Sequence, residues 1–167
     1  HGTVNMTTVI PPLNITLDDV DVAAERIKDR VRRTPCLRTR FIRNPIHRKL
    51  MLKMESLQVT GSFKARGANN AVLSLNDDAL GRGIITASGG NHGTAVAYAG
   101  HASKVKTVVY LPKRADPAKI KTLESWGAEV ILIGDVWDDA NVAALERAEK
   151  DGLTYIHPFA DPTVITG

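Results

Sequence analysis

Two short stretches hold the residues whose types and spacing could do chemistry. The first is Thr60-Gly61-Ser62-Phe63-Lys64-Ala65-Arg66-Gly67-Ala68: a turn, a small polar residue, an aromatic ring, then a lysine that opens a helix. That helix is expected to continue through Ala68, Ala71, Val72 and Leu75, which share one helical face. An amine at the positive end of a helix macrodipole is disfavoured as an ammonium, and burial acts in the same direction. A lysine so placed is a candidate for a Schiff base with an aldehyde. The plainer reading is a surface lysine in a first helical turn. The second stretch is Ala87-Ser88-Gly89-Gly90-Asn91-His92-Gly93. Its glycines let a backbone approach a ligand closely, and successive N–H groups at a helix start can hold a carboxylate or phosphate. Ser88 adds a hydroxyl and Asn91 a carboxamide. The spacing is not the G-x-G-x-x-G of dinucleotide binders. Taken alone it also fits a tight turn that only packs, with His92 a structural hydrogen-bonder.

The elements that must position these stretches follow from pattern. Residues up to about Asn14 carry Pro11-Pro12 without periodicity and read as a loose arm. Thr16-Leu17-Asp18-Asp19 opens a helix as a capping box, with Thr16 at the N-cap and Asp19 at N3. Val20, Ala23, Ala24, Ile27 and Val31 extend one apolar stripe to about Arg32, and Thr34-Pro35 ends it. Leu37 to Asn44 is too mixed to assign, Pro45 breaks it, and Lys49 to Met54 alternates as a strand. From Gly83 the pattern is regular. Strands are expected at Ile84–Ala87, Thr107–Leu111, Glu129–Ile133 and Thr154–Ile156. Helices are expected from Asn91 to Ala102, from Pro117 to near Trp126-Gly127, and from Asp138 to Lys150 with Val142, Leu145 and Ala148 inward. This alternation predicts an α/β fold of βαβ units with a parallel sheet and right-handed crossovers. Ligands on such sheets bind beyond the carboxyl ends of the strands. The turn Ser88–Gly93 fits that position best.

Composition narrows the classes. Charged residues at 24% and hydrophobic ones at 43% of 167 suit a soluble globular protein, and no apolar run is long enough to cross a bilayer. The single cysteine, Cys36, suggests no disulfide or zinc framework, and a cytoplasmic location is expected. Net charge is +4, and eleven basic residues lie between Arg26 and Lys53. That segment holds one aromatic, Phe41, so it lacks the stacking platform of single-strand binders. It reads as a solvated or partner-facing surface, with neither nucleic acid nor membrane as partner.

The two chemical stretches together are far more specific than either alone. Ser-Phe-Lys-Ala-Arg-Gly-Ala followed by Ala-Ser-Gly-Gly-Asn-His-Gly resembles the fold-type II pyridoxal-phosphate enzymes, above all the serine/threonine dehydratases and serine racemases. Arg33-Thr34-Pro35, Glu55-Ser56-Leu57-Gln58, Leu111-Pro112, Gly127-Ala128-Glu129-Val130, His157-Pro158-Phe159 and the terminal Asp161–Gly167 also look like that family. Related synthases that build cysteine or cystathionine usually carry Lys-Asp-Arg where this chain has Lys64-Ala65-Arg66.

The resemblance implies pyridoxal 5'-phosphate as cofactor and Lys64 as the amine that holds it and then removes the substrate Cα proton. Phe63 would pack beside the cofactor ring and Asn91 would hydrogen-bond its hydroxyl. Ser88, with the turn Gly89-Gly90-Asn91-His92, would grip the substrate carboxylate. The implied reaction is β-elimination from serine, threonine or a related 3-hydroxy amino acid to a 2-keto acid and ammonia. In the family's racemases a second serine follows the position of Ser88; here it is Gly89, which favours a dehydratase. Serine racemisation, or a non-enzymatic βα fragment that binds a small anion or a partner, are the alternatives. Family members are much longer. The chain therefore resembles an N-terminal portion: an arm (1–16), an incomplete larger cofactor-binding lobe (17–80 and 154–167) and a smaller βα lobe (81–153). The glycine-rich loop for the cofactor phosphate would be missing, the carboxylate metal site of some members would lie beyond Gly167, and a dimer is expected of the full-length form. The isolated chain is expected to be nearly inactive.

Overall fold

The computed structural model describes residues 14–39 and 50–167. The expected arm before Asn14 and the stretch around Pro45 lie outside the described residues. The first helix, α1 (Leu17–Ile27), starts as expected: Thr16 Oγ1 accepts from the Asp19 N–H at 3.2 Å, and the Thr16 N–H donates to the Asp19 carboxylate at 2.8 Å. It ends at Ile27, short of Arg32. Of its apolar stripe only Ala23 and Ile27 are buried, and Val20 and Ala24 face outward. The segment from Leu37 does form a strand. β1 (Cys36–Thr39) pairs antiparallel with β2 (Leu50–Lys53), Cys36 opposite Lys53.

From Lys64 the chain builds a three-layer α/β unit. In order come α2 (Lys64–Leu73), α3 (Asp77–Arg82), β3 (Ile84–Ala87), α4 (Asn91–Ser103) and β4 (Thr107–Leu111). They are followed by α5 (Pro117–Ser125), β5 (Glu129–Leu132), α6 (Trp137–Asp151), β6 (Thr154–Tyr155) and α7 (Pro162–Thr166). The sheet order is β5-β4-β3-β6, every pairing parallel, with Ile84 opposite both Thr107 and Thr154. Thr154 and Tyr155, which the resemblance assigns to the larger lobe, thus hydrogen-bond to β3 as the fourth strand. The short helices α3 and α7 carry no periodicity of their own and are not foreseen by pattern.

Strands β3 and β4 are buried on both faces, which is why they read as unbroken apolar runs. Ile84 faces α2 and α4, packing with Ala68, Val72, Ala95 and Val96. Ile85, Val108 and Tyr110 face α6, and Val109 and Leu111 face α4 and α5. Each fully buried branched side chain contributes about 1.5–3 kcal/mol. The inward face of α6 keeps Ala148 as expected but not Val142 and Leu145. Ala140, Ala144 and Ala148 pack on the sheet, whereas Val142 and Leu145 are 54% and 45% exposed. Alanines let the helix axis approach the strands closely, and that close approach sets the rotation of α6 over its larger apolar residues.

Among the described residues of the basic stretch between Arg26 and Lys53, three cations satisfy main-chain carbonyls. Arg30 donates to the Ala102 carbonyl, Arg32 Nη1 to the Leu57 carbonyl at 3.0 Å, and Lys53 Nζ to the Thr34 carbonyl at 2.6 Å. Arg66 closes the same region: its Nε and Nη2 bind both Glu55 carboxylate oxygens at 2.9 and 2.7 Å. Thr34 Oγ1 also donates to Glu55, at 2.5 Å. This lattice ties the end of the first helical segment to the turn before Lys64. The Arg66 guanidinium, aided by Thr34, holds the Glu55 carboxyl down to about 2 from an ordinary 4.5.

Two outcomes follow for stability. Val142→Ser should change unfolding free energy by no more than about 0.5 kcal/mol, whereas Ala144→Leu should destabilise by about 1–3 kcal/mol through overpacking; urea denaturation monitored by circular dichroism distinguishes them. Because the folded Glu55 value lies below the unfolded one, its contribution is complete above about pH 4.5 and lost as pH falls towards 2. Glu55→Gln should therefore lose about 1–3 kcal/mol at neutral pH and show a shallower stability loss than the parent between those pH values.

Candidate active site

Lys64 is the first residue of α2, and Phe63 precedes it in a helical conformation at the N-cap. Its amine donates to the Pro158 carbonyl at 2.5 Å and lies 5.4 Å from the centroid of the Phe63 ring. Phe63 is 60% exposed. Phe63, Lys64, Pro158, Phe159 and Ile165 help line a cavity of about 260 Å³. Close approach of α7 depends on Gly67, where an added Cβ would lie 2.2 Å from the Val164 carbonyl oxygen.

The second stretch leaves β3 at its carboxyl end, as expected, and turns directly into α4. The Gly90 N–H donates to Ser88 Oγ at 3.3 Å, and the first helical bond runs from the Thr94 N–H to the Gly90 carbonyl. The N–H groups of Asn91, His92 and Gly93 precede that ladder and have no intrahelical acceptor. Gly93 is required by contact: a Cβ there would sit 1.8 Å from the Ser88 carbonyl oxygen. Ser88 and Gly89 are half-buried, Gly90 and Asn91 exposed. Just ahead of the turn, Trp137 Nε1 donates to the Ala87 carbonyl at 2.8 Å.

His92 is buried, unlike the turn residues that precede it. Its Nε2 lies 3.1 Å from the Ile156 carbonyl. A carbonyl only accepts, so Nε2 carries the proton and Nδ1 presents a lone pair, buried and without a partner. Burial pushes the imidazole pKa down to about 4. The bond to Ile156 and the charge of Asp161 oppose that shift, while Lys64 and His157 reinforce it.

The two stretches meet through a shared neighbour. Lys64 ends on Pro158 and His92 on Ile156, so the segment leaving β6 joins the N-termini of α2 and α4. The packing of α2 against α4 through Ala68, Ala71, Ala95 and Ala99 brings those termini to it. The lining of the Lys64 cavity itself does not include Ser88, Gly89, Gly90, Asn91 or His92. Periodicity placed Ile156 at the end of a strand and assigned no role to His157–Ala160 or to Trp137. His157 stacks edge-on to Tyr155 and Phe159, and its Nδ1 accepts from the Phe159 and Ala160 N–H groups at 3.2 and 2.9 Å. Only the tripeptide His157-Pro158-Phe159 signals that segment.

The donor set suits an aldehyde-bearing cofactor with an amino-acid ligand. A primary amine lines a cavity beside an aromatic ring, and a nearby helix N-terminus offers open N–H groups with hydroxyl and carboxamide donors. Ser62 Oγ, two residues before Lys64, is buried without a partner, a polar group that a ligand could satisfy. Among the described residues no cluster of His, Cys, Asp or Glu could hold a metal ion, and no helix is long and apolar enough to cross a membrane.

Comparison with known proteins agrees. The chain is 40% identical to the L-threonine ammonia-lyase of Thermotoga maritima over 153 residues, covering 92% of this chain and 38% of that enzyme. Serine racemase from Dictyostelium discoideum superposes with a TM-score of 0.85 at 36% identity, covering 92% of this chain and 50% of the racemase. The processed form of threonine deaminase isoform 2 from Solanum lycopersicum gives 0.81 at 34%, with 92% and 44% covered. The chain thus spans at most about half the length of these relatives. Residues 27–167 match the family described as pyridoxal-phosphate dependent enzyme, and to that family the chain belongs.

Proposed function

We infer that this chain carries the lysine and the carboxylate-binding turn of a pyridoxal-phosphate dependent ammonia-lyase acting on serine, threonine or a related 3-hydroxy amino acid. The observation that carries the reading is that the Lys64 amine and the His92 turn end on one segment, Ile156–Pro158. When bound, pyridoxal phosphate supplies an electron-poor ring system that lowers the barrier to removing the Cα proton of an amino acid. Lys64 would hold it and then take this proton at Nζ. Phe63 would flank the ring, and the Asn91 carboxamide would donate to the ring hydroxyl. Ser88 Oγ and the N–H groups through His92 bind the substrate carboxylate, which sets the Cα–H bond towards the lysine. The β-hydroxyl would leave as water, and hydrolysis of the released enamine by water would give the 2-keto acid and ammonia.

Elimination is favoured over racemisation by Gly89, which has no side chain to deliver a proton from the face opposite Lys64. A Cβ at residue 89 would meet Leu111 Cδ2 at 3.1 Å, so a serine there requires that buried side chain to give by a few tenths of an ångström. No second glycine cluster follows Gly93, so residues 1–167 offer no further glycine-rich loop for a cofactor phosphate. Charge-assisted bonds from such a loop would supply much of the affinity. The full-length protein would be a two-lobed, cytoplasmic dimer, in which residues 81–153 make the smaller lobe.

Pyridoxal phosphate added to residues 1–167 should give a weak absorbance band at about 410–430 nm that Lys64→Ala abolishes; the same mixture should deaminate L-serine and L-threonine far more slowly than a full-length relative. Persistence of the band in Lys64→Ala would refute the assignment of the lysine. In any longer chain that carries these residues and turns over, L-serine elimination should outrun racemisation, and Gly89→Ser should raise racemisation. Chiral chromatography of residual serine reads this, and equal rates in the parent would contradict it.

A further inference from the structure

The chemistry above uses the backbone of His92 and leaves its buried imidazole without a task. We propose that His92 is a positioning residue for Lys64: by holding the Ile156 carbonyl it fixes the segment on which the Lys64 amine rests. The geometry of that segment supports this. Ile156 is anchored on both sides, its N–H donating to Ile85 at 2.9 Å and its carbonyl accepting from Thr86 Oγ1 at 2.9 Å and His92 Nε2 at 3.1 Å. Two residues on, the Pro158 carbonyl accepts from Lys64 Nζ. Proline has a fixed φ and no N–H, so the chain between these carbonyls has little freedom. Thr86 ties Ile156 to the sheet. The Ile156 side chain shares a core with Ala95, Val96 and Ala99 of α4, and His92 adds the hydrogen bond that ties the Ile156 carbonyl to the turn opening that helix.

The imidazole can serve only as a neutral ring. Protonating Nδ1 would bury a second N–H with no acceptor, near the Lys64 amine and with Asp161 as the opposing charge. The tie therefore stays intact while the amine changes charge. This inference takes Lys64 as the reactive amine of the preceding reading, yet its test needs no cofactor, so either can fail without the other.

The test uses residues 1–167. Long-range ¹H–¹⁵N correlation spectra should show His92 as the Nε2–H tautomer at neutral pH; an Nδ1–H tautomer, or titration at the ordinary histidine value, overturns the proposal. Competitive acylation with acetic anhydride, read lysine by lysine by mass spectrometry, supplies the second readout. In His92→Leu, Lys64 should react faster relative to the exposed Lys119 and Lys121, by on the order of threefold to tenfold for one lost hydrogen bond. His92→Gln, which keeps an N–H donor, should restore the parent ratio. An unchanged Lys64 ratio in a folded His92→Leu protein refutes the proposal. Should that variant not fold, His92→Asn, whose shorter amide cannot reach the same carbonyl, takes its place with the same two outcomes.

Discussion

One carbonyl oxygen receives two buried side-chain donors, and the candidate site depends on it. Thr86, two residues before the anion turn, and His92, within it, both bind Ile156. A buried carbonyl left unpaired would be destabilising by about 1–3 kcal/mol, so these donors stabilise more than they specify. Their joint effect is to fasten the exit of β6 across the mouth of β3. Because Pro158 then meets the Lys64 amine, the lysine at one helix start and the turn at another become parts of one arrangement. Remove the Ile156 anchor and the two helices would still pack, but the polar connection between their ends through the Ile156–Pro158 segment would be lost.

Small residues make the arrangement possible. Ala68, Ala71, Ala95 and Ala99 let α2 and α4 lie close, and Gly93 lets the turn fold back onto the Ser88 carbonyl. Gly67 does the same for α7, which approaches the lysine helix through the Val164 carbonyl. Substituting bulk at these positions moves backbone rather than side chains, because the neighbouring atoms are main-chain oxygens. Around this core, arginines and Lys53 satisfy carbonyls at element ends. The Glu55–Arg66–Thr34 lattice then keeps the approach to Lys64 in register.

What pattern could reveal depended on where the information lay. β3 and β4 were legible to the residue, since burial on both faces leaves an apolar run bounded by glycine and proline. The capping box of α1 and the proline start of α5 are local chemistry and were equally plain. The rotation of α6 was not. The pattern points to Val142, Leu145 and Ala148, and of these only Ala148 faces the sheet, where close packing selects Ala140 and Ala144 beside it. α3 and α7 are too short for periodicity to register. At the site, Lys64 and the 88–93 turn were legible as types and spacings. The segment that joins them was not, because a main-chain carbonyl has no sequence signature.

The central claim is that the Lys64 amine and the Ser88–Gly93 turn serve one ligand. The most direct measurement is a titration of ¹⁵N-labelled residues 1–167 with pyridoxal phosphate and L-serine, followed by amide chemical shifts. The account predicts that the amides of Asn91, His92 and Gly93 and those around Lys64 shift together with a common midpoint. Shifts at surface lysines alone, with the turn unmoved at saturation, would contradict it.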